Sequence, residues 1–484
     1  MGKDILSLSP KSLWQHFYEL TQIPRPSKKE QKAAQFVAEF GKRLGLFVEI
    51  DKVGNVLIRK PATKGMENCR GVILQSHVDM VPQKNSDTKH DFEKDPIDAY
   101  IDGSWVKAKG TTLGADNGIG VAAAMAVLEA TNIEHPQVEA LFTIDEETGM
   151  AGAFGIQPGW LTGDILINLD SEEERELCVG CAGGLDGTFT MQYDEKAPQG
   201  KAFRISITGL KGGHSGVDIA LGRANANKLM MRVLKRLTDK HEIQLSTLEG
   251  GNLRNAIPRE AFAGIVVLPE KEQDVVKEVK ALNDIVASEY AQVEGAVKIA
   301  IESISDVATV MNVQAQRSII NAISTCANGV LRMSDTIPNL VETSNNLAVV
   351  NIGGGSISVS CLMRSSVDTA KGYLAETLEA AFTLAGAKSS FTGGYPGWKP
   401  NPKSAILEVM SKLYEKLFND KPHIRAIHAG LECGLLGGVY PNLDMISFGP
   451  TILNPHSPDE RVEIATVERW WSYLLETLKN IPKK

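Results

Sequence analysis

The stretch GVILQSHVDM, positions 71–80, is an apolar run that ends in a histidine and an aspartate. A short continuous apolar run of this kind is typical of a strand that is buried on both faces. EALFTIDEE (139–147) and DILINLD (164–170) have the same form and also end in acids. Between the first two runs, the alanine-rich IGVAAAMAVLEAT (119–131) predicts a helix. Strands that alternate with helices predict a largely parallel sheet with helices covering both faces.

The pattern changes after the glycine-rich CAGGLDG (181–187) and returns after GGYPGWKPNP (393–402), which is typical of a linker. The middle of the chain predicts a β-rich α+β module, with strands at 201–213 and 261–269, helices at 224–240 and 271–294, and a hairpin at 345–367 that turns at Gly353–Gly355. The last part predicts helices at 403–418 and 465–479 and strands at 423–429 and 442–449. We therefore predict an α/β catalytic domain formed by 1–186 and 398–484, with an α+β domain of 187–397 inserted into it.

Composition limits the class of protein. The chain has 484 residues, of which 43% are hydrophobic and 23% charged, as in an ordinary globular protein. A net charge of −8 argues against nucleic acid or an anionic membrane as the main partner. The sequence contains neither a membrane-spanning apolar run nor the features of a signal peptide, and its six scattered cysteines do not form a disulfide framework. We expect a protein of the reducing cytoplasm.

Potential metal ligands follow the predicted strands of the first domain. They are His77, Asp79, Asp116, Glu146, Glu147, Asp170 and His456. Each has an ordinary alternative, since Asp116 could simply cap a helix and 170–176 could be a solvated acidic turn. Carboxyl ends of parallel strands, however, collect ligands at one edge of a sheet. Imidazoles mixed with carboxylates suit Zn²⁺. Two histidines and three of these acids make five ligand residues, which exceed one open tetrahedral site but fit two ions that share a carboxylate.

The spacing within two of these motifs suggests which side chains bind metal and which have other roles. His77 and Asp79 point the same way in an extended chain, so Asp79 can lie behind the imidazole ring and fix its tautomer. Glu146 and Glu147 point to opposite sides, so one can bind metal while the other acts as a base.

In order and spacing, SHVDMVP, TTLGADNGIG, TIDEETG, INLDSEE and NPHSPDE resemble the motifs of the co-catalytic zinc peptidases that include aminoacylases, carboxypeptidases and dipeptidases. With GCAGG, GLKGGHSG, LRNAIPRE, HAGLECG and GPTILNPHSPDE, the resemblance extends over essentially the whole chain and is closest to the aminoacyl-histidine dipeptidase branch. It implies a zinc-peptidase catalytic domain with a mixed, mostly parallel sheet, and an inserted lid domain that also serves for dimerisation.

The resemblance also implies roles for individual residues. His77 and Asp170 would bind one zinc, Glu147 and His456 the other, and Asp116 would bridge them. Glu146 would be the general base, Asp79 the partner of His77, and the Asp116–Asn117 peptide would be cis. In the lid, His214 would donate a hydrogen bond to the scissile carbonyl. Arg254, Asn255 and Arg364 are candidates for binding the substrate carboxylate, although a structural ion pair is an equal alternative. We place His428 and Glu432 in the catalytic domain, near the pocket, as substrate contacts or supports.

The function expected from this resemblance is metal-dependent hydrolysis of dipeptides, preferentially Xaa-His and including β-alanyl-histidine. Two divalent ions, Zn²⁺ or in its place Co²⁺ or Mn²⁺, would serve a cytoplasmic homodimer assembled through the lid domain. Two alternatives remain. One is a related hydrolase, such as a broader di- or tripeptidase, a carboxypeptidase or an N-acyl-amino-acid deacylase. The other is a non-catalytic metal- or peptide-binding protein, against which the complete ligand set argues.

Overall fold

The computed structural model describes residues 2–484. The chain forms two compact units, each with its own sheet. The first unit comprises Met1–Gly180, Pro400–Ala426 and Leu431–Lys484, and the second comprises Cys181–Lys399 and Ile427–Gly430.

The first unit is built on a mixed sheet with parallel strands at its centre. Its strands, in spatial order, are Phe47–Ile50, Val56–Lys60, Val138–Thr143, Val72–His77, Ile165–Asn168, Asp444–Ser447, Glu176–Cys181 and His423–Ile427. Val72–His77 pairs in parallel with both of its neighbours, and Ile165–Asn168 pairs in parallel with Asp444–Ser447. The outer pairs on the side of Phe47–Ile50 are antiparallel. The carboxyl ends of the central strands therefore meet at one edge.

Helices and a small sheet surround this central sheet. The α-helices are Lys11–Thr21, Gln31–Arg43, Ala115–Glu129, Glu146–Gly149, Ala151–Gly155, Ala405–Phe418, Glu432–Val439 and Ile464–Lys479. The small sheet has the order Ile452–Leu453, Arg461–Glu463, Trp105–Ala108 and Ala99–Asp102. Every residue of Val72–His77 and Val138–Thr143 is buried, which is why their sequences are apolar without alternation.

The second unit contains an antiparallel sheet packed against helices. Its strands, in spatial order, are Lys298–Ser303, Lys201–Thr208, Ala261–Val267, Gln244–Gly250, Val341–Gly353, Ser356–Ser365, Gly183–Gln192 and Lys388–Tyr395, and Gly329–Met333 pairs with Val341–Gly353. Two short pairs are Gly213–His214 with Ala256–Ile257 and Glu195–Lys196 with Val310–Met311. The α-helices are Ala226–His241, Glu272–Glu289, Val313–Thr325 and Asp368–Leu384. Gly354 and Gly355 turn the predicted hairpin with φ of 57° and 74°.

Of the two glycine-rich stretches that suggested boundaries, 181–187 is almost entirely strand, whereas 393–402 is strand only at 393–395. Gly183 and Gly184 begin the strand Gly183–Gln192, and Tyr395 ends the strand beside it. Glycine is needed there because a Cβ at Gly184 would lie 2.5 Å from the Tyr395 ring. Gly183 and Gly184 therefore allow close packing against the neighbouring strand.

Among the described residues, no helix combines the length and the apolar composition that a bilayer-spanning segment needs.

Candidate metal centre

The candidate ligands of the first unit come together at the carboxyl edge of its sheet. His77 is the last residue of its strand, Glu146 and Glu147 follow the strand Val138–Thr143 after a short turn, and Asp170 follows Ile165–Asn168. Because these three strands are parallel neighbours, their ends converge. Side chains that are far apart in sequence are therefore held on one rigid edge.

Asp116 lies between two imidazoles. Its Oδ1 is 3.1 Å from Nε2 of His77, and its Oδ2 is 3.2 Å from Nε2 of His456. The backbone enters the helix Ala115–Glu129 through a cis Asp116–Asn117 peptide, with non-helical φ and ψ at both residues. His456 has a φ of 59°, in the left-handed region that only a few per cent of residues other than glycine adopt. A carboxylate with one oxygen on each of two imidazoles is well arranged to bridge two cations.

The donor atoms form two overlapping groups that share Asp116. In each group the atoms lie within 4.8 Å of one another: one comprises His77, Asp116 and Asp170, and the other Asp116, Glu147 and His456. Nε2 of His456 is 2.9 Å from Oε2 of Glu147, and Nε2 of His77 is 3.3 Å from Oδ1 of Asp170. A third group within the same distance adds Glu146 to His77 and Glu147.

Electrostatics at this edge favour positive charge. Burial raises the pKa of Asp170 to about 7 and that of Glu172 to about 8, and it raises the pKa of Glu146 well above its ordinary value. Hydrogen bonds to Asp116 and Glu147 raise the pKa of His456 to about 11. Oε1 of Glu147 is buried and has no hydrogen-bond partner among the described residues. Buried carboxylates need a counter-charge, so this donor set fits divalent cations.

Asp79 is buried against the His77 ring. It is fully buried, and its Oδ1 lies 3.3 Å from Nδ1 of His77. The same carboxylate accepts the backbone N–H groups of Glu146 at 3.1 Å and Glu147 at 3.3 Å. One side chain therefore contacts the His77 ring and the start of the helix Glu146–Gly149.

Glu432 is buried and is held by two residues that were not among the predicted site residues. Its Oε2 accepts hydrogen bonds from Nε2 of Gln75 at 2.6 Å and Oγ1 of Thr143 at 2.7 Å. Burial raises its pKa to about 7. In the sequence, Gln75 and Thr143 could have been recognised as polar residues within two otherwise apolar strands.

In the second unit, His214 is arranged as a hydrogen-bond donor. Its Nδ1 accepts the backbone N–H groups of Gly216 and Val217, each at 3.2 Å. Burial, together with the charge of Arg364, lowers its pKa. A neutral imidazole that accepts at Nδ1 carries its proton on Nε2. His214 therefore presents an N–H group.

The two candidate arginines of this unit differ in their partners. The Arg364 side chain is only 5% exposed and donates to Oγ of Ser215 at 3.4 Å and to the hydroxyl of Tyr395 at 3.1 Å. No carboxylate of the described residues lies within salt-bridge distance of it, whereas Arg254 lies 3.7 Å from Asp186. Arg364 is thus a buried cation that can receive an anion.

Arg254 and Asn255 have structural contacts. Arg254 donates to Oγ1 of Thr188 at 2.7 Å, and the backbone carbonyl of Asn255 accepts the N–H of Ser215 at 2.8 Å. Arg254 therefore makes the kind of ion pair that was the alternative to a substrate contact.

His428 belongs to the second unit, and its expected location in the catalytic domain is wrong. The N–H of Ala182 is directed to the carbonyls of Ile427 and Ala429, which ties this segment to the second unit. Nε2 of His428 is 2.7 Å from Oγ of Ser344. Burial and the charge of Arg364 lower its pKa to about 3, so the ring is neutral.

Known proteins share this chain's sequence and architecture. The chain is 47% identical over 483 residues to the cytosol non-specific dipeptidase of Escherichia coli (strain K12), covering 99% of this chain and 100% of that protein. It is also 47% identical to the aminoacylhistidine dipeptidase of Vibrio alginolyticus, whose crystal structure matches with a TM-score of 0.95 over 100% of both chains. The chain belongs to this dipeptidase family.

Other matches agree with this dipeptidase family. Residues 205–294 match the peptidase dimerisation domain of the M20 peptidases. The aminopeptidase PepT of Bacillus cereus shares the fold at 16% identity, with a TM-score of 0.56 over 98% of this chain and 99% of that one. Membership confirms the mixed α/β peptidase architecture with an additional dimerisation domain that was expected from the sequence. It also makes the chain a metallopeptidase, a class that works with divalent metal ions.

Proposed function

We propose that this chain hydrolyses dipeptides, preferentially Xaa-His and including β-alanyl-histidine, with two zinc ions at the carboxyl edge of the first unit. The observation that carries the proposal is the position of Asp116, whose two oxygens face different imidazoles at 3.1 Å and 3.2 Å. A shared carboxylate is the feature that separates a two-ion centre from a single structural ion.

We assign the ligands by proximity within this centre. His77 and Asp170 would hold one ion, and Glu147 and His456 the other, with Asp116 common to both. Two such ions, when bound, supply Lewis-acid activation of water and neutralise charge on the scissile carbonyl. Co²⁺ or Mn²⁺ can take the place of Zn²⁺, since imidazole and carboxylate ligands suit all three.

Glu146 is the proposed base. It stands beside the ligand Glu147 and takes the proton from the attacking water, then delivers it to the leaving amine. Its backbone N–H is held by Asp79, which also contacts Nδ1 of His77 and fixes that ring so that Nε2 faces Asp116. Base and ligand thus depend on the same buried carboxylate.

Residues of the second unit would bind the substrate. Nε2–H of His214 is the proposed donor to the carbonyl oxygen, because its Nδ1 is occupied by two backbone N–H groups. Arg364 is the proposed partner of the C-terminal carboxylate, since its guanidinium is buried and contacts only neutral hydroxyls among its hydrogen-bond partners. Asn255, Arg254, His428 and Glu432 would line or support the substrate site. We further propose a cytoplasmic homodimer assembled through the second unit.

A panel of substrates tests the function. The purified chain is assayed with β-alanyl-histidine, Gly-His, Leu-Gly, a tripeptide and an N-acetyl-amino acid. Each is tested before and after removal of metal by a chelator and readdition of Zn²⁺, Co²⁺ or Mn²⁺. The proposal expects dipeptide hydrolysis that stops with the chelator and returns with metal. Activity on the acyl-amino acid alone, or activity that survives complete metal removal, would contradict it.

Broader dipeptide specificity is the second candidate. The E. coli relative is described as a non-specific dipeptidase, and the Vibrio relative as an aminoacylhistidine dipeptidase. Comparable kcat/KM values for Leu-Gly and Gly-His would favour the broader function, and a clear preference for Gly-His would favour the narrower one.

A further inference from the structure

Glu460 is a buried carboxylate directed at the loop that carries Asp116. It is 2% exposed and accepts four consecutive backbone N–H groups, in pairs on its two oxygens. Oε2 accepts from Leu113 at 2.7 Å and Gly114 at 2.9 Å, and Oε1 accepts from Ala115 at 2.7 Å and Asp116 at 3.2 Å. One side chain therefore accepts every backbone N–H from Leu113 to Asp116.

Arg25 holds the same loop from its carbonyl side. Its guanidinium is 2% exposed and donates to the carbonyls of Val78 and Asp79, each at 3.0 Å, and to the carbonyl of Gly114. Burial lowers the pKa of Arg25, and among the opposing charges that of Glu460 acts most strongly. Arg25 thus joins the segment that follows His77 to the loop that precedes Asp116.

Glu460 and Arg25 both form hydrogen bonds with the backbone of Gly114. Its N–H goes to Glu460 and its carbonyl to Arg25. Its φ is 72°, and a Cβ there would lie 2.6 Å from Nη2 of Arg25 and 2.8 Å from Sδ of Met80. The glycine lets the backbone approach the guanidinium closely.

Glu460 also belongs to the segment that carries His456. Its N–H donates to the carbonyl of Ser457 at 3.0 Å, so a tight turn separates it from His456. Three segments that carry proposed ligands are consequently connected through two buried side chains, neither of which is itself in a ligand group.

We propose that Arg25 and Glu460 are positioning residues that preset the Asp116 carboxylate between His77 and His456 before metal binds. The inference rests on the ligands proposed above. A bridging carboxylate must point each oxygen at a different ion, and a loose loop would lose entropy in reaching that orientation. With the backbone already held on both sides, metal binding does not have to order it.

Glu460→Gln tests the inference. The substitution keeps the size of the side chain but turns one oxygen into an NH₂ group that faces two backbone donors. We expect metal affinity of the apo-protein, measured by competition with a chromophoric chelator, to fall about 10- to 100-fold. We also expect the rise in Tm on metal addition to shrink relative to wild type.

Glu139→Gln is the matched control. Glu139 is also fully buried and accepts the backbone N–H groups of Thr162 at 2.8 Å and Gly163 at 3.0 Å. It lies four residues from Thr143, about 13 Å along the strand from the metal edge. A variant that loses only stability should show the same fall in Tm with and without metal, and a metal affinity within about threefold of wild type. We expect this result for Glu139→Gln and not for Glu460→Gln.

Arg25→Lys provides the second variant if Glu460→Gln does not fold. Lysine keeps the charge but lacks the planar fork that reaches three carbonyls, so we again expect at least tenfold weaker metal binding. Metal affinity within twofold of wild type in either folded variant, or an equal loss in Glu139→Gln, overturns the inference. A wild-type chain that binds no divalent ion would instead overturn the proposed function, and the positioning role with it.

Discussion

Replacing Asp79 by asparagine perturbs the metal centre without removing a proposed ligand. The carboxylate is fully buried, and each of its oxygens faces donors. Oδ1 accepts the N–H of Glu146 at 3.1 Å and lies 3.3 Å from Nδ1 of His77, while Oδ2 accepts the N–H of Glu147 at 3.3 Å. Whichever way the asparagine amide is oriented, its NH₂ group faces at least one donor.

The size of the effect follows from these contacts. A buried donor left without an acceptor costs about 1–3 kcal/mol. At about 1.4 kcal/mol for each factor of ten, that is about 5- to 140-fold in an equilibrium or rate constant. The general cost of changing a side chain that supports a metal ligand, about 10- to 100-fold in affinity or activity, lies in the same range. We therefore expect tens-fold weaker metal binding, lower kcat, or both.

The assay compares metal affinity, kcat and Tm of wild type, Asp79→Asn and Asp444→Asn. Asp444 is a suitable control because its carboxylate accepts Oγ–H of Ser404 at 2.6 Å and the N–H of Ile406 at 3.0 Å at the start of its strand, away from the carboxyl edge. The control should lose stability but keep metal affinity. If Asp79→Asn kept metal affinity and kcat within twofold of wild type, the support assigned to Asp79 would be refuted.

Three further changes probe other parts of the two units. Glu146→Gln should retain both ions, measured by elemental analysis, while kcat falls about 10²- to 10⁴-fold because proton transfer is lost. Asp116→Asn should reduce bound metal below two ions per chain, since this carboxylate faces both histidines. His428 has a pKa of about 3 when folded, against about 6.5 when unfolded. Its neutral form therefore contributes stability that is complete above pH 6.5 and is lost as pH falls towards 3, at up to about 1.4 kcal/mol per pH unit. His428→Gln should make Tm fall less steeply than in wild type between pH 6.5 and 4.

Each of these has a contrary result. Near-wild-type turnover in Glu146→Gln would mean that another group acts as the base. Two tightly bound ions in Asp116→Asn would exclude a bridging role for that residue. Parallel Tm profiles for wild type and His428→Gln would mean that the His428 ring is accessible to protonation in the folded chain.

Much of the fold was predictable because its central strands are buried on both faces. Such strands cannot alternate polar and apolar residues, so 71–80, 139–147 and 164–170 were recognisable as continuous apolar runs. The hairpin was recognisable from its glycines, which adopt the positive φ of a tight turn. The segment 427–430 was misplaced because its grouping depends on hydrogen bonds to Ala182, which no local pattern reveals.

The site was only partly predictable. The ligand types were visible as His, Asp and Glu at strand ends, but Arg25 and Glu460 were not identified. Glu460 binds the backbone of Asp116 across 344 positions of sequence, and backbone N–H groups have no signature in the sequence. Arg254 and Arg364 were equal candidates in the sequence, and only burial and the nearby Asp186 distinguish them.

By itself, the sequence determined the chemistry available to this protein: two imidazoles and several carboxylates, of which His77, Glu146, Glu147 and Asp170 follow apolar runs typical of buried strands. Tertiary structure alone decided which oxygen of Asp116 faces His77 and which faces His456, and that Asp79 lies against the His77 ring while it accepts the backbone N–H groups of Glu146 and Glu147. The physical reason is that residue type sets what an atom can bind, whereas its direction depends on backbone torsions and on neighbours brought close by long-range packing.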